Sequence, residues 1–131
     1  MARSYRELLV WQKAKQLAFN AYTATEHFPK GEMYGLISQI RRSAVSVVSN
    51  IAEGQGRLTL GEFRHFLGQA RGSLLELDTQ LAIAFDLKFL DATLLAKLDQ
   101  EVYQVLGLLN RLIESLRCKQ VQRGSVETLK L

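Results

Sequence analysis

Cysteine and proline each occur once in 131 residues, and both scarcities restrict what the chain can be. A single cysteine, Cys118, cannot close an intrachain bridge, so the fold must stand on its hydrophobic core. That fits a reducing compartment. One proline, Pro29, leaves long stretches free to stay helical. No stretch shows the sustained alternation of a strand, and no apolar run approaches the roughly 20 residues needed to span a bilayer. The start, Met1-Ala2-Arg3-Ser4-Tyr5-Arg6-Glu7, lacks the apolar region of a secretory signal. The expectation is a cytoplasmic protein with no membrane contact.

Chemistry-bearing motifs are scarce as well. No glycine-rich phosphate loop follows a strand, and no Cys/His cluster has zinc spacing. Nothing places a nucleophile beside a base. Glu62-Phe63-Arg64-His65 has the Glu-x-x-His spacing that di-iron bundles use twice. Here it occurs once, the only other histidine is His27, and Glu62 has a simpler use as a helix cap. The sequence therefore predicts no enzyme, no metal and no cofactor.

What is present is helical periodicity. Val10, Ala14, Leu17, Ala21, Ala24 and Phe28 recur at four-three spacing, predicting a helix from about Tyr5 to His27 that stops at Phe28-Pro29-Lys30-Gly31. Ile37, Ile40, Ala44, Val47 and Ile51 mark a second helix, starting near Glu32 and ending at Gly54-Gln55-Gly56, where glycine can take the left-handed conformation. Thr59 and Glu62 form a capping box ahead of Phe63, Leu67, Ala70, Leu74, Leu77, Leu81 and Ala84. Asp91 is the expected N-cap of a fourth helix with Leu95, Leu98, Val102, Val105, Leu109, Leu112 and Leu116. Four amphipathic helices joined by short links predict an all-α, antiparallel up-down-up-down four-helix bundle over residues 1–118. Residues 119–131 lose the periodicity and read as a flexible or oligomer-contacting tail, with isolated Val126, Leu129 and Leu131.

Polar patterning supplies the candidate functional residues. Ser46, Asn50 and Glu53 share one face of the second helix, and Ser73, Glu76 and Gln80 one face of the third. Either the two rows hydrogen-bond and fix the register of the helix pair, or they bind something directly. Gly61, Gly68 and Gly72 lower helix propensity, a cost consistent with close approach of a partner helix. Net charge is +4, unevenly spread: residues 1–72 carry ten Lys/Arg against five Asp/Glu, residues 73–118 four against seven. Arg57, Arg64 and Arg71 recur every seven residues, and Arg41 and Arg42 are adjacent. These five could track a phosphate backbone; the alternative is a solvated face or intersubunit salt bridges.

Trp11-Gln12-Lys13-Ala14, Phe28-Pro29, Gln39-Ile40-Arg41-Arg42, Ser49-Asn50-Ile51-Ala52-Glu53-Gly54 and Gly72-Ser73 with Glu76 resemble the rRNA intervening-sequence protein family, bacterial four-helix bundles often encoded within large-subunit rRNA genes. The resemblance covers roughly residues 5 to 117. It implies a homo-oligomeric ring, a pentamer. It also implies kinship with the accessory protein of diversity-generating retroelements, a basic bundle that binds a reverse transcriptase and nucleic acid. The expected partners are thus a second copy of the chain, RNA or DNA, and a reverse transcriptase or other nucleic-acid enzyme. An adaptor that touches only protein is the alternative.

Overall fold

The structure, a computed structural model, describes residues 4–130, with side-chain surroundings described for residues 4–123. A short 3-10 turn at Tyr5–Glu7 precedes α1 (Leu9–Thr25); a second, Lys30–Glu32, precedes α2 (Leu36–Gln55); α3 (Leu60–Asp86) and α4 (Ala92–Lys130) complete the order. Each helix packs against its two sequence or ring neighbours and none crosses the diagonal. With connections this short, successive helices run antiparallel. The chain is an all-α, up-down-up-down four-helix bundle.

The four-three seams form the core. Leu17 of α1, Ile40, Val47 and Ile51 of α2, Leu67, Leu74, Leu77 and Leu81 of α3, and Leu98, Val102, Val105 and Leu109 of α4 are fully buried. Each such aliphatic side chain contributes about 1.5–3 kcal/mol by leaving water. Phe28 follows α1 and stacks on Phe89, ring centroids 5.4 Å apart, closing the end where α1 meets α2 and α3 meets α4.

The helix ends follow local chemistry. The Glu32 carboxylate accepts from the Leu36 amide (3.1 Å), capping α2 from outside the helix, so α2 begins four residues later than its charge pattern suggests. The Thr59 hydroxyl accepts from Glu62 N at 3.1 Å and opens α3; Asp91 Oδ1 accepts from Leu94 N at 2.8 Å and opens α4. At the end of α3, Phe89 N donates to Ala84 O and Lys88 N to Phe85 O, both at 2.9 Å. These are the paired bonds of a Schellman cap, and Lys88 occupies its left-handed position with φ 66°.

The expectations for the glycines are corrected. No glycine has positive φ among the described residues: α2 ends with Gly56 in ordinary helical geometry. Gly54 is there for space. A Cβ on it would lie 2.9 Å from Phe66 Cβ, 3.0 Å from Phe63 Cδ1 and 3.2 Å from Phe63 O, so only glycine lets α2 and α3 cross this closely. Gly68 and Gly72, by contrast, face open space, with nothing within 4 Å of an added Cβ; no helix of this chain approaches them. At the expected tail boundary the backbone shows no break. α4 continues without a break past Cys118 to Lys130, because loss of an apolar stripe marks where a helix leaves its neighbours, not where its backbone bonds stop. Val126, Leu129 and Leu131 lie outside the described side chains.

Candidate nucleic-acid interface

The five arginines do not form one site. Arg41 is committed to holding α1 and α2 together: its Nε donates to Thr25 Oγ1 (2.9 Å), Nη2 lies 3.4 Å from Tyr22 O, and the guanidinium sits 4.6 Å above the Tyr22 ring. Such a stacked, hydrogen-bonded arginine is structural first. Arg42 is exposed on α2, in a shallow groove with Gln39, Ser43, Glu76 and Gln80. Both lie toward the α1–α2 turn.

Arg57, Arg64 and Arg71 lie in the other half. Arg57 is exposed in the α2–α3 turn and stacks 4.4 Å over Phe66. Arg64 is half-buried; Nη1 donates to Gln120 Oε1 of α4 at 2.9 Å, while Nε is out of reach of solvent and has no acceptor. Arg71 is exposed two turns further along α3. Arg64 and Arg71 line one groove of about 460 Å³ between α3 and α4, with Gly61, His65, Gly68 and Ile113. Beyond its rim, Arg117 grips Glu114 through Nε (3.0 and 3.1 Å) and Nη2 (2.6 Å). That bond holds the Glu114 carboxyl below its ordinary range, with the Arg117 and Arg64 charges assisting.

The packing of the helices sorts charge along the bundle axis in a way the linear halves do not. A cut across all four helices at the level of Ser46 and Ser73 leaves ten Lys/Arg and four Glu on the side of the α2–α3 turn, among the described side chains. The other side holds five Lys/Arg and eight Asp/Glu. The basic half draws on α1, the α2–α3 turn, α3 and α4, from Arg6, Lys13 and Lys15 before and on α1 to Arg111, Arg117 and Arg123 on α4, while α2 contributes none. At the acidic end, burial raises the carboxyl of Asp78 above its ordinary value, and the charge of Asp99 across the α3–α4 interface adds to the rise.

The polar rows meet in part. Ser46 Oγ and Ser73 Oγ are 2.8 Å apart, and Asn50 Nδ2 donates to Ser46 O (2.9 Å) and Ser46 Oγ (3.1 Å). Glu53 and Glu76 are exposed and take no part in these bonds. Gln80 approaches the interface, but its Oε1 is buried without a partner. Sequence reasoning missed the Arg41–Thr25 and Arg64–Gln120 bonds, and with them the hydrogen bond from Asn20 of α1 to Glu101 of α4. The last joins residues 81 apart, and no local pattern encodes such a pair.

His65 is exposed, its Nε2 3.1 Å from Gln69 Nε2, its ring edge-on to Phe66. Among the described residues no three His, Cys, Asp or Glu side chains converge as metal ligands, and no helix is long and apolar enough to cross a membrane.

No curated protein matches the chain. Among solved structures, a protein of unknown function from Bacteroides thetaiotaomicron, described as of the S23 ribosomal protein family, is similar at 18% identity and a TM-score of 0.75. The match covers 81% of this chain and 96% of that one, and it shows a shared fold. Residues 6–111 match the family described as 23S rRNA-intervening sequence protein. That span runs from the turn before α1 to the middle of α4 and takes in the fully buried core residues of all four helices, so the chain belongs to the 23S rRNA-intervening sequence protein family.

Proposed function

We propose that this protein is a non-enzymatic, nucleic-acid-associated scaffold that works in the cytoplasm as a homo-oligomeric ring, a pentamer by family resemblance. The observation that carries the nucleic-acid reading is the axial sorting of charge. Ten cations against four anions in one half is a far stronger field than a net +4 spread over a chain, and such a patch attracts polyanions at long range. Family membership supports an RNA-handling context. The ring reading rests on family resemblance, and Phe19 (67% exposed) and Tyr103 (65%) are large apolar side chains that such an interface would cover.

The test is a titration of structured RNA at several salt concentrations. Binding should weaken steeply with salt. Arg64→Gln with Arg71→Gln should lower the slope of log K against log salt by roughly 1.4–1.8, the release expected for two phosphates, with little change in thermal stability. An unaltered slope removes these two residues from the interface; no binding at low salt removes the reading itself.

A second reading, a protein-only adaptor for a reverse transcriptase or another nucleic-acid enzyme, is favoured by Tyr34 (97% exposed) and Leu58 (98%). They stand in the turns at opposite ends of the bundle. Co-purification of one enzyme that survives nuclease treatment, with no RNA bound by the protein alone, would select it.

A further inference from the structure

We propose that the groove between α3 and α4 is a track for the phosphodiester backbone of one nucleic-acid strand, gripping phosphates and ignoring bases; this rests on the nucleic-acid reading above. Three features of the groove converge on that ligand.

The first is its walls. Arg64 and Arg71 lie seven residues apart on one helix, so their attachment points are separated by about 10.5 Å along the axis. That separation is wide enough for the two guanidinium groups to meet different phosphates of one strand. Arg64 is already held by Gln120, so it loses little side-chain freedom on meeting a phosphate.

The second is its floor. Gly61 and Gly68 line the groove, and Gly68 has nothing within 4 Å of where a Cβ would stand. Glycine in mid-helix costs about 1 kcal/mol against alanine. At Gly54 the close α2–α3 crossing offsets that cost; at Gly68 nothing in this chain does. Missing side chains there leave the helix surface open for a ligand to lie between the two guanidinium groups.

The third is what the groove does not offer. Its lining is two arginines, two glycines, His65 and Ile113. His65 is turned against Phe66 and Gln69, so no tyrosine, tryptophan or phenylalanine face lines the groove for bases to stack on. Charge without stacking surface recognises backbone, not sequence.

The experiment fills the floor without touching the walls. Gly68→Gln places a neutral, helix-favouring side chain in the groove. Gly72→Gln does the same one turn further on, where the residue lines a different groove, beside Leu75, Glu76 and Thr79. The probes are fluorescent poly-U RNA and poly-dT DNA of equal length, read by anisotropy at low salt, with melting curves for all three proteins. The expected result is about tenfold weaker binding of both strands by Gly68→Gln, unchanged binding by Gly72→Gln, and melting temperatures at or above that of the native protein. Native-like binding by Gly68→Gln overturns the track while leaving the nucleic-acid reading intact. Tight RNA binding with no DNA binding also overturns it, since phosphates are common to both. If the native protein binds neither strand, the functional reading fails and the track with it.

Discussion

Gly54 and Gly68 are both helical glycines, yet the same change to alanine should move stability in opposite directions. At Gly68 the new methyl meets nothing within 4 Å. The only effect is the gain in helix propensity, about 0.5–1 kcal/mol. At Gly54 the same gain is overtaken. The methyl would stand 2.9 Å from Phe66 Cβ, about 0.6 Å or more inside ordinary carbon contact at about 3.5–4.0 Å, and 3.2 Å from Phe63 O. Neither atom is the end of a flexible side chain, so relief requires α2 and α3 to separate along their whole shared seam. Overpacking of this kind costs about 1–3 kcal/mol, leaving Gly54→Ala net destabilised by roughly 0.5–2 kcal/mol. Far-UV circular dichroism melts at one fixed protein concentration would read this as a Tm lower by a few degrees for Gly54→Ala and higher by a few for Gly68→Ala. Shifts of the same sign, or a Gly54→Ala protein as stable as the native, would refute the close crossing of α2 and α3.

Lys88 holds the left-handed position of the α3 cap, where a Cβ costs about 1–2 kcal/mol; Lys88→Gly should therefore raise the urea midpoint. Asp78→Asn should stabilise the bundle at neutral pH. Its carboxyl has a raised folded-state pKa, so stability present below the ordinary value of 3.8 is lost as pH rises through the folded value. The gap between variant and native melting temperatures should accordingly close in acid, and a gap independent of pH would refute the cause. Arg41→Ala should lower stability while leaving RNA affinity nearly unchanged, because its guanidinium is spent on Thr25 and Tyr22. A loss of affinity at native stability would return Arg41 to the interface.

Much of the architecture was already written in the chain. Four-three spacing of Ile37, Ile40, Ala44, Val47 and Ile51, and of the matching series on the other helices, determines which face each helix buries, since the 3.6-residue period is a property of the backbone. Thr59 and Asp91 marked two helix starts because a cap acts over three residues. Family kinship, too, was legible in short blocks such as Ser49-Asn50-Ile51-Ala52-Glu53-Gly54. The tertiary structure decided whatever depends on the meeting of distant segments. It assigned Gly54 to packing and left Gly68 bare, although both are glycines in helices. It drew Arg41 and Arg42 away from Arg57, Arg64 and Arg71, although all five looked equivalent in sequence. Above all it turned a modest charge imbalance into a basic end and an acidic end. Folding antiparallel brings the start of α1, the α2–α3 turn and the end of α4 to one end, and no window along the chain contains all three.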